Sequence, residues 1–308
     1  MTGQLLVPIL SGTIVAATPL VYAATGELVA ERSGVINLGV EGMMLIGTVT
    51  AFATAYAGYP PFFAALAAAG AGALISLIFA FLALSLATNQ YAAGLALTIL
   101  GSGLSAFIGH GFSGASLKTI AKIHIPVLSG LPVVGPVLFN YDLMTYFALA
   151  MTGAIWWFFY RTKAGLVVRI VGEAPQSAHA IGYPVILIRY LTTMFGGAMA
   201  GLGGAYLALA YTPLWVENMT AGRGWIALAL VVFAAWRPGR VLLGAWLFGG
   251  VTVLQLFAQG IGIKVPSELL SSLPYIATIV VLVAISRNPR TLRLNAPVSL
   301  GQSFRPQG

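Results

Sequence analysis

Long, unbroken apolar stretches recur along this chain, at about 4–24, 39–58, 61–87, 91–111, 140–160, 185–210, 224–236, 241–259 and 272–286. Most reach or approach the roughly 20 residues that a helix needs to cross the ~30 Å hydrocarbon core of a bilayer. The runs are continuous and do not alternate with period two, which argues against a transmembrane β-barrel. Only 7% of the residues are charged, against about 25% in a soluble domain, so the chain cannot cover an aqueous surface. It reads as an all-α polytopic membrane protein of about nine transmembrane helices (eight to ten), some of them interrupted. The segment at 224–236 is short enough to be a partial or re-entrant span.

Basic residues set the expected orientation. With the C-terminus in the cytoplasm, Arg32, Arg161, Lys163, Arg169, Arg189, Arg237, Arg240, Arg287, Arg290, Arg293 and Arg305 fall inside, and Lys118, Lys122, Arg223 and Lys264 fall outside. Eleven against four follows the positive-inside rule, with the N-terminus outside and the C-terminus cytoplasmic. The net charge of +8 then reflects topology, and no nucleic-acid partner is expected. The opening MTGQLLVPILSG has neither a basic leader nor an A-x-A cleavage site, so the first segment is expected to be a retained span. Residues 1–286 read as one membrane domain, carrying an external loop at 112–139 and a cytoplasmic loop at 161–184. Residues 287–308 read as a basic cytoplasmic tail, polar, proline-bearing and expected to be mobile.

Much chemistry is missing from the sequence. None of the four lysines follows a glycine, so there is no phosphate-cradling P-loop. The three histidines have no metal-ligand spacing, there is no cysteine, and no nucleophile–base constellation stands out. GLGGAY at 201–206 lies inside an apolar helix, where Gly197 and Gly201, and Gly196, Ala200 and Gly204, form small faces for close helix packing. By itself the chain is not expected to be an enzyme.

Polar groups interrupt this apolar pattern at a few places. ERSGVINLGVEGMML, residues 31–45, combines Glu31, Arg32, Asn37 and Glu41 with glycines at 34, 39 and 42. Ionisable groups inside a membrane pair, or face a cavity. Glu27, Glu31 and Arg32 read as interfacial, with Arg32 paired to Glu27 or Glu31. Asn37 and Glu41 read either as polar wall or gate groups of a translocation path beside a broken helix, or as a cluster anchoring that break. TNQYAAG at 88–94 adds Asn89 and Gln90, either on the same path or as a helix cap. WVENMTAGRGW offers Glu217 and Arg223, either as an internal ion pair or as contacts to an external partner. In the cytoplasmic loop, Pro175 and Gly182 frame a short helix, PQSAHAI.

Four separated stretches, in order, carry a resemblance: ERSGVINLGVEGMML, IPVLSGLPVVGPVLF, VGEAPQSAHAIGYPV with GGAMAGLGGAYLAL, and ENMTAGRGWIALALVVFAAWRPG. Through them the sequence resembles the permease subunits of ATP-binding-cassette importers in the branched-chain amino acid, ribose and nucleoside group, and most of all the shorter permease of nucleoside importers. One departure is FAAWRP, where such permeases more often carry a glycine and a different basic residue before the tryptophan. The resemblance implies an inner-membrane importer subunit that takes up nucleosides handed over by an extracytoplasmic substrate-binding lipoprotein. A sugar or a branched-chain amino acid is the alternative substrate. It further implies that residues 172–182 form a coupling helix seated in a cytoplasmic ATPase subunit, with Arg169, Gly172, Glu173, Pro175, Ala178 and Gly182 matching the pattern. A second, longer permease would complete the pathway as a heterodimer. No cofactor is implied on this chain; ATP and magnesium belong to the ATPase. From the residues alone, an ion-gradient-driven secondary transporter is also compatible with the interrupted helices.

Overall fold

The computed structural model describes residues 2–123, 134–260 and 295–305, with single positions in between. Among them the chain is helical, and one isolated antiparallel bridge joins Ser116 to Leu214. Six helical stretches are long and apolar enough to cross a membrane: Leu6–Arg32, Pro61–Ser85, Gln90–Phe112, Leu143–Arg161, Val185–Tyr211 and Pro238–Gly260. Their cores are the helices α1 (Thr2–Arg32), α3 (Pro61–Ala80), α4 (Gln90–Gly109), α6 (Leu143–Arg161), α9 (Val185–Tyr206) and α11 (Pro238–Gly260). Two shorter apolar helices, α2 (Val40–Tyr56) and α10 (Arg223–Phe233), stand among them. Three small helices, α5 (Val134–Leu138), α7 (Lys163–Glu173) and α8 (Pro175–Ala180), complete the order. Eight of the nine expected apolar segments therefore carry a helix; the ninth, 272–286, and residues 287–294 lie outside the described residues apart from isolated positions.

Close packing builds the bundle, and small residues permit it. Helix α9 runs antiparallel to α1, with Gly196 beside Gly26 and Gly203 beside Pro19. It also runs antiparallel to α3, where a Cβ on Gly197 would stand 2.5 Å from the Gly72 carbonyl oxygen. A Cβ on Gly47 of α2 would stand 2.5 Å from the Gly201 backbone. The glycine faces read from the sequence thus meet α1, α2 and α3 backbone to backbone, which is how helices associate where lipid removes the hydrophobic incentive. Both α3 and α9 end in a π-helical turn, Phe81–Ser85 and Leu207–Tyr211.

The first helix departs from expectation. Its apolar stretch was expected to end near residue 24, yet the helix continues to Arg32 and buries Glu27, Glu31 and Arg32. The acids do not stop it because each finds a donor inside the protein, described below. The segment from Asn295 to Arg305 also departs from the mobile tail expected. It is anchored: the Gly301 N–H donates to the Gly34 carbonyl, and Phe304 packs with Val171, Ala178 and Val185.

Arginines gather at one end of the bundle. Arg32, Arg161, Arg169, Arg237 and Arg240 line one cleft, and Arg189 reaches the same end by donating to the Ser33 carbonyl. The opposite end holds an aromatic cluster in which Phe52 packs against Phe112 and Trp215.

Candidate functional site

Past Arg32 the chain leaves the helix for residues 33–39 and then starts α2. Backbone polar groups in such a segment must all be partnered when water is absent. The Ser33, Gly34 and Val35 N–H groups turn back onto the carbonyls of Ala30 and Glu31. The Ile36 N–H donates to Gln90 Oε1 at 2.9 Å, and the Asn37 N–H donates to Glu27 Oε1 at 2.9 Å. Asn37 folds its own side chain forward, Oδ1 accepting from the Gly39 N–H at 2.9 Å. On the carbonyl side, Arg189 Nε donates to Ser33 and Thr98 Oγ1 donates to Leu38. Side chains from α1, α4 and α9 therefore replace the missing helical ladder. Glu27 Oε2 and Gln90 Nε2, on the two side chains that accept from Asn37 and Ile36, remain buried without a partner.

Glu41 sits in the first turn of α2 and faces α10 across the bundle. Its carboxylate accepts from Thr220 Oγ1 at 2.5 Å, the Gly222 N–H at 2.8 Å and the Gly224 N–H at 2.6 Å. It thereby supplies the cap that the N-terminus of α10 lacks, and its charge lies at the positive end of that helix. Gly224 is needed here, since a Cβ would stand 2.5 Å from the Glu41 Cα.

The other end of α10 is held just as firmly. Its chain turns through Ala235 and Trp236, both with positive φ, and Trp236 Nε1 donates to Glu31 Oε2 at 2.5 Å. Arg32 donates to the Trp236 carbonyl through Nε at 3.2 Å and Nη2 at 2.8 Å. Helix α10, 11 residues and about 16 Å long, thus has an anion at its N-terminus and a cation beyond its C-terminus. Arg32 is consequently not paired with Glu27 or Glu31, as the sequence suggested: carbonyl oxygens take its donors, and backbone or indole N–H groups take the acids.

Other singled-out residues fall in three places. Asn89 caps α4, its Oδ1 accepting from the Ala92 N–H at 3.1 Å, while the adjacent Gln90 is buried against the strap. Glu217 and Arg223 do not form an ion pair. Glu217 is exposed, and Arg223 donates to the Met219 and Thr220 carbonyls and lies 5.4 Å from the Tyr211 ring centre.

At the arginine end, Arg169, Gly172 and Glu173 lie on α7, Pro175 and Ala178 on α8, and Gly182 takes a left-handed conformation just past α8. Ala178 is buried against Phe304, and Ile181 is 68% exposed. Gly172 meets the Arg32 carbonyl so closely that a Cβ could not fit. The tail ties these elements to the strap. Ser299 Oγ donates to the Gly172 carbonyl at 2.7 Å and accepts from Arg189 Nη2 at 2.9 Å, and Arg189 Nη1 donates to the Gln302 carbonyl.

Sequence reasoning missed Arg189, Ser299, Thr220 and Trp236. Arg189 had a legible signal, a charge inside an apolar segment. Ser299, Thr220 and Trp236 had none, because their partners are more than a hundred residues away.

A family described as branched-chain amino acid transport system permease components matches residues 9–284. A Haloferax volcanii protein named "putative glucose ABC transporter permease protein" is 40% identical, over 96% of this chain and 97% of its own. A guanosine ABC transporter permease of Bacillus subtilis is 34% identical over 91% and 92%, and a nucleoside ABC transporter permease of Lactococcus lactis is 31% identical over 89% and 90%. A solved structure described as an inward-facing metal-chelate type ABC transporter superposes with a TM-score of 0.52 at 15% identity, over 90% of this chain and 84% of that one; it supports the fold alone.

Proposed function

The chain belongs to the family of branched-chain amino acid transport system permease components, and from that premise we propose that it forms one half of the membrane pathway of an ATP-driven nucleoside importer. As a family member it is an ABC transporter permease subunit, a multi-pass protein of the inner membrane and a transport component, not an enzyme. The finer reading rests on one observation. A short helix, α8, stands at the arginine end with Ile181 exposed, while its inner side and the preceding turn are fastened by the tail to residues 33–36.

In this reading the arginine end is cytoplasmic, the nine spans place the N-terminus outside, and α8 is the coupling helix. Arg169, Gly172, Glu173, Pro175, Ala178 and Gly182 shape and present it to the ATPase, which binds ATP and magnesium. Nucleotide-driven closure of two ATPases moves α8, and rigid-body motion passes through α7, the tail and Arg189 to the strap. The translocation path runs beside residues 33–41, with Asn37, Glu41, Asn89 and Gln90 toward it. Asn37, Gln90 and Glu41 act by holding the strap and α10 in place, and Asn89 by capping α4 beside them. A longer permease subunit supplies the other half, and an extracytoplasmic binding lipoprotein docks near Glu217 and Arg223. The guanosine and nucleoside permeases among the relatives support a nucleoside; the 40% identical glucose relative supports a sugar as the second reading.

Uptake of labelled guanosine and labelled glucose is measured in cells lacking the gene and re-supplied with parent or Ile181→Glu chain. Restored guanosine uptake in the parent, with loss of uptake and of ATPase co-purification in Ile181→Glu, is the expected result. Restored glucose uptake alone moves the conclusion to the sugar. Uptake that survives Ile181→Glu and stops when the ion gradient is collapsed would sink the ATP-driven reading.

A further inference from the structure

The arginine end contains a cleft of about 1060 Å³ between the last turns of α6, helix α7 and the start of α11. Arg32, Arg161, Arg169, Arg237 and Arg240 line it, against a single acid, Glu173. Among the described residues none of these arginines lies within 4.0 Å of a carboxylate. Arg32 is satisfied by carbonyls at the floor. Arg169 differs: its guanidinium lies 5.7 Å from the Tyr160 ring centre, and its Nε, shielded from solvent, has no hydrogen-bond partner. Five guanidinium groups around one opening repel one another unless an anion fills the space between them, and planar guanidinium donors match phosphate oxygens better than any other anion-binding side chain.

We propose that this cleft binds a phosphate-bearing anion, either the headgroup of an anionic phospholipid or a free phosphate. The wall toward α6 favours the headgroup. Trp156 and Tyr160, 47% and 41% exposed, flank the arginines within the last turns of a membrane-spanning helix. Half-exposed aromatic rings next to basic groups mark the level of lipid headgroups. Bound there, the anion neutralises the corner where α7 leads into α8 and lowers the repulsion between Arg169 and Arg32. Nothing in the site depends on which solute is carried.

Lipid retention by the purified full chain is measured by native mass spectrometry from mixed micelles, phosphatidylglycerol against phosphatidylcholine. The parent is compared with a triple variant, Arg161→Gln with Arg237→Gln and Arg240→Gln. These three side chains are exposed, so the variant keeps the fold, and a thermal melt checks it. Phosphatidylglycerol is expected to be retained at least about tenfold better by the parent and to lose that advantage in the variant, each arginine near an anionic surface contributing roughly fivefold. Added inorganic phosphate separates the sources. Retention of the lipid in its presence assigns the headgroup; displacement, or binding of phosphate itself by the parent alone, assigns free phosphate. Equal retention of both lipids without phosphate binding overturns the proposal, as does a preference that survives in the variant. Loss of ATPase co-purification with the lipid preference unchanged would make the cleft a protein-docking surface and would also overturn it.

Discussion

Two charged regions of this protein use charge in opposite ways. Around the strap between α1 and α2 and the two ends of α10, Glu27, Glu31, Arg32 and Glu41 are buried; Glu27 is held by the Asn37 N–H of the strap itself, and the other three by backbone or indole groups of a distant segment. In the cleft beside α7, Arg161, Arg237 and Arg240 are exposed and, among the described residues, lack an acidic partner. The difference teaches what ionisable groups do in a mostly apolar chain. Inside, a carboxylate is tolerated because it replaces hydrogen bonds that broken helices would otherwise leave unmade; at the rim, unpartnered charge is available to something outside the chain.

Removing an interior group should therefore be costly, and removing a rim group should not. Glu41→Ala leaves Thr220 Oγ1 and the Gly222 and Gly224 N–H groups without their acceptor, and at about 1–3 kcal/mol per stranded donor a loss of at least about 3 kcal/mol is expected in a detergent-solubilised melt. Glu41→Gln, which keeps an acceptor oxygen, should recover part of it; equal effects of the two would mean that the charge at the α10 N-terminus is what counts. Gly34→Ala comes next. Its φ is +94° and the new Cβ would stand 2.5 Å from Ser299 Oγ and 2.6 Å from Arg189 Nη2, so a loss of about 1–3 kcal/mol is expected, with earlier protease cleavage of the tail. A tail as protected as in the parent would show that the clasp through Ser299 does not hold it.

Asn89→Ala removes only a helix cap and should cost about 1 kcal/mol. Uptake at parental level in that variant would take Asn89 off the proposed path. The smallest effect belongs to the rim: Arg240→Gln should change stability by no more than about 0.5 kcal/mol. A larger loss would erase the contrast between the two regions and show Arg240 to be partnered in the intact protein.

Much of the architecture was legible beforehand. Apolar length located eight helices among the described residues, the glycine spacing of α9 announced a packing face, and Pro175 and Gly182 framed α8. The site was legible only as a place. Asn37, Glu41 and Gln90 stood out because polar groups are costly in such surroundings, yet the sequence left open whether they face a path or hold a break.

What the sequence determined by itself is whatever follows from local composition: which stretches must be helical to satisfy their backbone in lipid, and where those helices are interrupted. Which groups repair the interruptions depends on how the helices pack. Glu41 is matched to Gly224, Glu31 to Trp236, and Arg189 to both Ser33 and Ser299. A hydrogen bond reaches about 3 Å in space and any distance along the chain, so such matches leave no period, spacing or run to be read. They exist only once the helices have packed.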